Sequence, residues 1–352
     1  MAGETAKVVR FKSVGGPEVL KIREEKISEP GKGEVRLDVK AIGLNRAEVM
    51  FRRGQYPEAP ELPAKLGYEA AGVVTAVGPD VDRNWIGKKV STIPTIFSMT
   101  KYGVYGEVAI VPAYSLAVYP QKLSPEEGTS ILMQYLTAYG ALITLGQIGM
   151  GDFVIITAAS SSVGIAAIEM VNAEGAISIA TTRTSKKKAA LVGVGAAHVI
   201  ATEEEDFLAR VNGITGGMGA RIIFDPIAGK GVELLAQAAA PGGTIFEYGA
   251  LAPEPTPFPL FPALAKGLSI RGYTLREMLS IPDFVPHGMA PGYWVPEKVG
   301  PFKAKAEKYV FDHIEAGDFK PRIDRVFPLD QIVEAHRYME SNEQIGKIVV
   351  TV

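Results

Sequence analysis

The sequence predicts an α/β protein that combines a doubly wound parallel sheet with a second, β-rich domain. Over the first 120 or so residues, short alternating segments are separated by turn residues. From about Ser124, short apolar runs alternate with helical segments instead. A chain of 352 residues also has the length of two ordinary domains.

The first domain, residues 1–124, is predicted from alternation of period two. Between Gly33 and Ile42, apolar residues at every second position alternate with charged ones, which is typical of a half-buried strand. Turn signals recur at Gly15–Pro17, Pro30–Gly33 and Gly78–Asp80. Many short strands with such turns indicate a compact, barrel-like β domain.

The second domain, residues 125–276, is predicted from a change of rhythm. Ser124 precedes a proline and, three positions on, Glu127, which is the pattern of a helix start. Ser185 and Thr202 are expected to cap two later helices, Thr202 together with Glu205. Six candidate strands alternate with the helices: Phe153–Thr157, Ile177–Thr181, His198–Ile200, Arg221–Asp225, Thr244–Gly249 and Leu268–Tyr273. This alternation predicts a doubly wound parallel sheet.

The last part of the chain, residues 277–352, is expected to return to the β-rich domain. It contains two helices, a strand near Ile323–Phe327 and a final strand, Gly346–Val352. Residues 282–301 form a Pro- and Gly-rich, aromatic connection. Such a segment either covers the mouth of a substrate pocket or packs as a surface loop or dimer contact.

Composition excludes several classes of function. A net charge of −2 and a pI near 6.2 give no general attraction to nucleic acid or to an anionic membrane. The absence of cysteine excludes disulfides, thiolate metal sites and a cysteine nucleophile. The N-terminal residues lack the apolar core of a signal peptide, and no apolar run is long enough to span a bilayer. We therefore expect a cytoplasmic protein.

The loop after the first parallel strand is the most informative turn. The strand that ends at Thr157 is followed by small residues, with Ser160, Ser161, Ser162 and Val163 leading into a helix. A helix N-terminus offers unpaired N–H groups, and small residues let a pyrophosphate approach them. The alternative is a Ser-rich turn that only caps the helix, because the glycines of the usual phosphate-binding fingerprint are missing.

The end of the second parallel strand favours NADPH over NADH. Enzymes that bind NAD place an acidic residue here, but this strand is followed by Arg183 and Lys187 without a carboxylate. Arginine presents a planar fork that suits a phosphate. Basic residues in the first turn of a helix are unfavourable next to the positive end of the helix dipole, and a bound anion would explain why they are there. The alternative is a basic helix start that is only solvated.

Several motifs in order carry a family resemblance over nearly the whole chain. They are Gly43–Glu48, Arg53–Tyr56, Leu62–Val74, Leu136–Tyr139, Ala159–Gly164, Ala335–Arg337 and Gly346–Lys347. With them the chain resembles the zinc-free quinone oxidoreductase branch of the medium-chain dehydrogenase/reductase superfamily. The resemblance implies a central Rossmann domain and a GroES-like catalytic domain built from both termini. It also implies NADPH in the cleft between them, and often a homodimer.

The resemblance also implies site residues. Tyr68 occupies the position where zinc-dependent relatives have a metal-binding histidine, so no metal site is expected. Asn45 and Tyr56 match residues at the nicotinamide end of the cleft and are the candidate catalytic residues; Tyr68 and Tyr135 are expected in the substrate pocket. The backbone of Gly249, Ala250 and Leu251 is expected to lie along the nicotinamide. The side chain of Asn342 is expected to contact the cofactor.

For the two candidate catalytic residues, structural roles stay open. Asn45 also fits a helix capping box with Glu48. Tyr56 lies between Gly54 and Pro57, where an aromatic ring often anchors a loop.

Without a metal, the hydride acceptor must activate itself, as quinones and α,β-unsaturated ketones do. The sequence therefore predicts NADPH-dependent reduction of a small conjugated carbonyl compound. There are two alternatives to this function: reduction of an enoyl thioester, and NADPH binding without turnover.

Overall fold

The computed structural model describes residues 4–279 and 299–352. By their contacts these residues form two compact units. Unit 1 consists of the described residues within Met1–Met133, Met278–Glu315 and Pro321–Val352. Unit 2 consists of Gln134–Glu277 and Ala316–Lys320.

The strands and helices are numbered along the chain. The strands are β1 (Thr5–Arg10), β2 (Lys21–Lys26), β3 (Glu34–Gly43), β4 (Glu69–Val77), β5 (Lys89–Thr92), β6 (Val108–Pro112), β7 (Leu116–Ala117), β8 (Phe153–Ile156), β9 (Ile177–Thr182), β10 (His198–Ala201), β11 (Ala220–Asp225), β12 (Ala239–Glu247), β13 (Ser269–Gly272), β14 (Ile323–Pro328) and β15 (Lys347–Thr351). The helices are α1 (Arg46–Arg52), α2 (Met99–Tyr102), α3 (Pro125–Gly128), α4 (Leu132–Ala138), α5 (Ser162–Ala173), α6 (Lys188–Val194), α7 (Phe207–Thr215), α8 (Val232–Ala238), α9 (Leu260–Lys266), α10 (Leu275–Met278), α11 (Val299–Ala316) and α12 (Ile332–Ser341). A π-helical segment, Tyr139–Leu145, follows α4.

Unit 1 is built around the long strand β3. It pairs antiparallel with β4 along one side, and with β6 and then β15 along the other. The sheet has the order β14-β15-β3-β4-β5-β7, with β6 on β3, while β1 and β2 form a separate two-stranded sheet. The predicted alternation holds, because Val35, Leu37, Val39 and Ala41 are buried. The C-terminal strands therefore belong to the same sheet as β3.

Unit 2 is a parallel sheet of the order β10-β9-β8-β11-β12-β13. All of its strand pairs are parallel. The order reverses between β8 and β11, which is the point where doubly wound sheets bind ligands. The predicted fold class is confirmed, and the six predicted strands all occur.

Boundaries and caps differ from expectation in a few places. Strand β12 begins earlier than predicted because Ala239 already pairs with Ala220. Helix α7 is capped by Asp206, whose side chain accepts from the N–H of Ala209 (3.0 Å), so the Thr202–Glu205 cap was wrong. Glu205 instead forms ion pairs with Lys188 and Arg210. Ser185 opens a short 3-10 turn before α6 rather than capping the helix itself.

The irregular connection predicted at 282–301 lies outside the described residues, apart from the three positions that open α11. Within the described ranges, no helix combines the length and the apolar character that a membrane span needs.

Candidate functional site

The turn from β8 into α5 is closed by serine side chains. Ser161 is the N-cap of α5, and its hydroxyl accepts a hydrogen bond from the N–H of Gly164 (3.0 Å). A Cβ at Gly164 would lie 2.6 Å from the Cα of Ala159, so only glycine lets the helix approach the turn this closely. The start of the 12-residue helix therefore lies against the end of strand β8. The arrangement leaves the first N–H groups of α5 available to an anion.

The basic turn after β9 lies beside this loop. The ammonium group of Lys187 donates to the hydroxyl of Ser160 (3.0 Å). Arg183 is exposed, and its side chain forms no ion pair within the described part of the chain. Sequence reasoning missed Glu204, which follows β10 and accepts from the N–H of Ser185 (3.1 Å). The structure thus brings Ser160 and Lys187, two of the predicted cofactor-binding residues, together.

The loops after β11 and β12 are held together by backbone hydrogen bonds. The N–H of Leu251 donates to Pro226 (3.1 Å), and that of Ala252 donates to Ile227 (2.9 Å). Gly249 is half-buried, and Ala250 and Leu251 are exposed. At the same edge of the sheet, Ala158 and Ala228 have positive φ values of 45° and 60°. Strained alanines of this kind cluster at ligand sites.

Two carboxyl groups lie side by side beneath these loops. Asp225 and Glu247 end adjacent strands and are paired in register. Asp225 is buried, accepts from the N–H of Ala228 (2.7 Å) and forms a hydrogen bond with the hydroxyl of Thr157. Both carboxyl oxygens of Glu247 are buried and have no hydrogen-bond partner of normal geometry among the described residues. Burial, and then the charge of Asp225, raise the pKa of Glu247 to about 9. Glu247 therefore keeps its proton and can donate it to Asp225.

One buried hydroxyl at this edge has no hydrogen bond of normal geometry among the described residues. It is the hydroxyl of Tyr248, whose oxygen is fully buried and lies near the side chain of Ser161. The ring stacks on Phe224 with centroids 3.9 Å apart. An unsatisfied donor at the N-terminus of α5 is a group that a bound ligand oxygen could satisfy.

In unit 1, the predicted catalytic residue Asn45 lies inside a buried ionic network. Its side-chain oxygen accepts from the ammonium group of Lys347 (2.7 Å), and its amide donates to Glu69 (3.1 Å). Lys347 also forms a buried ion pair with Glu69. Gly43 makes room for this lysine, since a Cβ there would lie 2.8 Å from its Cε. These contacts use both polar atoms of Asn45 and favour its structural role.

Glu48 completes the network and confirms a capping contact at α1. Its carboxylate accepts from the backbone N–H groups of Asn45 (2.7 Å) and Tyr68 (3.1 Å). Burial raises the pKa of Glu48 to about 7, although Lys347 and the N–H donors act in the opposite direction. A second carboxylate thus depends on Lys347 for its charge balance.

Tyr56 and Tyr68 are in contact, but only one of them is accessible. Their rings meet edge to face with centroids 6.2 Å apart. Tyr68 is fully buried, packs on Phe97 and places its hydroxyl 3.5 Å from Glu58. Tyr56 is half-buried. Tyr68 therefore fills space and supports the ring of Tyr56.

Two other predicted site residues have different roles in the structure. Tyr135, expected in the substrate pocket, belongs to unit 2, where its ring stacks on Phe319 (4.9 Å) and its hydroxyl donates to Glu169 (2.5 Å). Both contacts indicate a packing role, and the pocket assignment of Tyr135 stays a prediction. Asn342, expected at the cofactor, ends α12 with a φ of 59°. Asn342 is therefore the C-cap of this helix. Its side-chain oxygen accepts a hydrogen bond from Arg46.

Comparison with known proteins agrees with both units. The family of alcohol dehydrogenase GroES-like domains matches residues 31–121, and the family of zinc-binding dehydrogenases matches residues 162–287. A quinone oxidoreductase of Pseudomonas aeruginosa is 30% identical over 98% of this chain and 99% of its own length. The chain belongs to the quinone oxidoreductase-like branch of the medium-chain dehydrogenase/reductase superfamily.

Other members of this superfamily are similar along their whole length. A 2-haloacrylate reductase of a Burkholderia species is 29% identical over 96% of both chains. Among solved structures, the Escherichia coli quinone oxidoreductase complexed with NADPH superposes with a TM-score of 0.85 at 26% identity, covering 99% of this chain and 100% of that one. The resemblance inferred from the sequence motifs is confirmed.

Although one matching family is described as zinc-binding, the described residues contain no group of three or more His, Asp or Glu side chains that could hold a metal ion. Position 68, where zinc-dependent members have histidine, holds the buried Tyr68.

The sequence reasoning missed two clusters of this quinone oxidoreductase-like chain. Asp225 ends one predicted strand and Glu247 lies near the end of the next, so the parallel pairing of these strands could have suggested their contact. Lys347 belongs to the Gly346–Lys347 motif, and nothing local indicates that its side chain meets Glu69 and Asn45, which are 278 and 302 positions away.

Proposed function

We propose that this protein is an NADPH-dependent reductase of small conjugated carbonyl compounds, either quinones or α,β-unsaturated ketones. The observation that carries the proposal is the start of α5, where the Ser161 cap and the Lys187–Ser160 hydrogen bond lie together. A helix N-terminus next to basic side chains favours a phosphorylated dinucleotide.

The residues of unit 2 fit this cofactor. The N–H groups that open α5 would hold the pyrophosphate, with Ser160 and Ser162 beside them. Arg183 and Lys187 would hold the 2′-phosphate that distinguishes NADPH from NADH, as Arg forks and Lys ammonium groups do elsewhere. The unsatisfied hydroxyl of Tyr248 offers a further donor. When bound, the nicotinamide supplies the hydride.

We further propose that the reaction needs no zinc. A cysteine ligand is absent from the sequence, and Tyr68 replaces the histidine ligand. The side-chain oxygen of Asn45 is already bound to Lys347. We therefore expect an acceptor that carries its own activation, as a conjugated system does when it delocalises the negative charge that arrives with a hydride onto its oxygen.

Tyr56 is the side chain of this chain best suited to assist the acceptor. Its ring is held by Tyr68 and remains partly accessible. A tyrosine hydroxyl has an ordinary pKa near 10, so it can donate a hydrogen bond to a developing oxyanion at neutral pH. Asn45 is the weaker candidate, since its polar atoms are used inside the protein.

The relatives support an activated acceptor without selecting one. One is named a quinone oxidoreductase, and another a 2-haloacrylate reductase, whose name describes an activated alkene. The structural neighbour was solved with NADPH.

The test follows NADPH oxidation at about 340 nm with 1,4-naphthoquinone and, in parallel, a simple enone, with NADH as the control cofactor. We expect turnover with at least one acceptor and a clear preference for NADPH. Recovery of the saturated ketone would identify an alkene reductase. Tight NADPH binding without turnover of either acceptor would overturn the proposal and favour an enoyl thioester substrate or a binding role.

A homodimer is also proposed, with α9 and the edge strand β13 at the interface. Around α9, Phe258, Leu260, Phe261 and Leu264 expose between 50% and 82% of their surface. Strand β13, which follows directly, is the last strand of its sheet within the described residues. Exposed apolar residues beside an unpaired strand edge are typical of an interface between copies.

A further inference from the structure

The two-stranded sheet β1–β2 carries an unusual arrangement of positive charge. In the register of this sheet, Arg10 lies directly opposite Lys21, and Val8 lies opposite Arg23. Directly opposite residues share a face, and side chains two positions apart on a strand also share it. Arg10, Lys21 and Arg23 therefore project to the same side. Like charges directly opposite each other destabilise a strand pair.

In the part of the chain that the structure describes, one carboxylate balances this face. Glu25 accepts two hydrogen bonds from Arg10, at 2.8 and 2.7 Å, and forms an ion pair with it. Within residues 4–279 and 299–352, the side chains of Lys12, Lys21 and Arg23 form no ion pair. Arg10 and Glu25 neutralise each other, so three positive charges stay unbalanced.

A further cation lies close by. Lys65 is half-buried, and its pKa is lowered by burial and then by the charge of Arg10, while Glu25 acts in the opposite direction. Lys65 therefore adds to the positive potential around Arg10. A lysine that loses proton affinity because of a neighbouring cation would regain it when an anion binds.

The charges surround a groove and not a flat surface. Its volume is about 690 Å³, and its walls include Arg10, Lys12, Lys21, Arg23 and Glu25. Val19 and Pro63 add apolar surface. Ligand pockets of proteins have comparable volumes, of roughly 300–1,000 Å³. The groove can therefore hold a small organic molecule together with its charged group.

We propose that this groove binds a small organic anion that carries a phosphate or pyrophosphate group. The guanidinium of Arg23 and the ammonium groups of Lys12 and Lys21 bind the phosphate oxygens, and Val19 and Pro63 contact the apolar body. The bound anion balances the charges of Lys12, Lys21 and Arg23. The site lies in unit 1, shares no residue with the α5 loop of unit 2 and does not rest on the proposed reductase activity.

The experiment is a calorimetric titration of the full chain, saturated with NADPH beforehand, with inorganic pyrophosphate. Prior saturation fills any dinucleotide site, so that the measured heat reports a different site. ADP is the second probe, because it adds an organic body to the same group. We expect saturable binding of both probes and a rise of Tm with their concentration. Tighter binding of ADP would indicate that the apolar wall is used.

Variants locate the binding to the groove. Lys21→Ala and Arg23→Ala each remove a charge-assisted hydrogen bond and are expected to weaken pyrophosphate binding about tenfold or more. Lys26→Ala is the matched control, since Lys26 is an exposed lysine on β2 that does not line the groove. It is expected to change the affinity less than about twofold.

The proposal is overturned if the wild-type, NADPH-saturated protein shows no saturable heat with either probe. It is also overturned if Lys21→Ala and Arg23→Ala bind pyrophosphate as the wild type does. Both substituted side chains are exposed, so the far-UV circular dichroism of the variants should match that of the wild type.

Discussion

Lys347, at the start of the last strand, forms a fully buried ion pair with Glu69, at the start of β4. The same ammonium group donates to Asn45, and its charge also offsets that of Glu48. Removing one partner of a buried pair leaves an uncompensated charge, which costs far more than the pair itself contributes. Unit 1 therefore depends on one lysine near the C-terminus.

Lys347→Met is expected to lower the free energy of unfolding by about 3 kcal/mol or more. Urea denaturation of the variant and the wild type measures this difference in the free energy of unfolding. Lys40→Met is the matched control, because Lys40 forms an exposed ion pair with Asp38 at 2.7 Å. It should cost less than about 1 kcal/mol. Equal effects of the two changes would contradict a special role of the buried pair.

Glu247→Gln is expected to stabilise the protein at high pH. The folded state keeps a proton on Glu247 up to about pH 9, whereas the unfolded chain releases it near the ordinary pKa of 4.5. Stability of the wild type therefore falls as the pH rises through this window. A neutral amide donates to Asp225 at every pH, so the variant should gain roughly 3 °C or more in Tm at pH 8 and little at pH 5.

The control for this titration is Glu203→Gln, at an exposed position. Its difference from the wild type should be small at both pH values. A gain for Glu247→Gln that is the same at pH 5 and pH 8 would show that Glu247 is ionised in the folded protein.

Arg183→Ala and Lys187→Ala are expected to raise the Kd of NADPH about tenfold or more and to leave that of NADH nearly unchanged. Each variant loses a charge-assisted contact that only the 2′-phosphate can use. Fluorescence titration with both cofactors measures this. Lys186→Ala, an exposed neighbour, is the control. Equal losses for the two cofactors would place these side chains elsewhere on the dinucleotide.

Tyr56→Phe is expected to lower kcat/KM for an enone about a hundredfold, because general-acid assistance contributes at least this much in other enzymes. Quinone reduction, whose product oxygens take protons from water, should fall less. Tyr68→Phe removes the neighbouring hydroxyl and keeps the ring contact, so it serves as the control. An enone rate that survives in Tyr56→Phe would leave Tyr56 as a loop anchor.

Phe261→Glu is expected to weaken self-association about tenfold or more, since it places a charge on the apolar surface around α9. Light scattering during size-exclusion chromatography measures the mass. Val192→Glu, at another exposed apolar position, should not change it. A wild-type protein that elutes as a monomer at all concentrations would refute the dimer.

Much of the fold could be predicted because its signals are local. The alternation of Val35, Leu37, Val39 and Ala41 requires only that one face of a strand be buried, and the structure buries them. The six parallel strands were recognisable as short apolar runs between helical segments. Caps were less predictable: Asp206 and Thr202 both precede the helix, and only the backbone geometry selects Asp206.

The candidate site also has features that could be predicted from the sequence and features that could not. Ser161 was predictable as a cap, since the cap and the N–H that it accepts from are three residues apart. The contact of Lys187 with Ser160 follows from the parallel order of β8 and β9. The role of Asn45 was not decidable, because a lone asparagine before a helix fits both a catalytic and a capping role.

The sequence by itself determined the alternation of elements, the α/β class, the absence of cysteine ligands and the motifs that carry the family. Tertiary structure alone decided which charged side chains meet: Lys347 with Glu69, Glu247 with Asp225, and Arg10 opposite Lys21. The physical reason is range. Hydrophobic period and capping act within a few residues, whereas the charge of a buried group is fixed by neighbours that strand pairing brings together from distant parts of the chain.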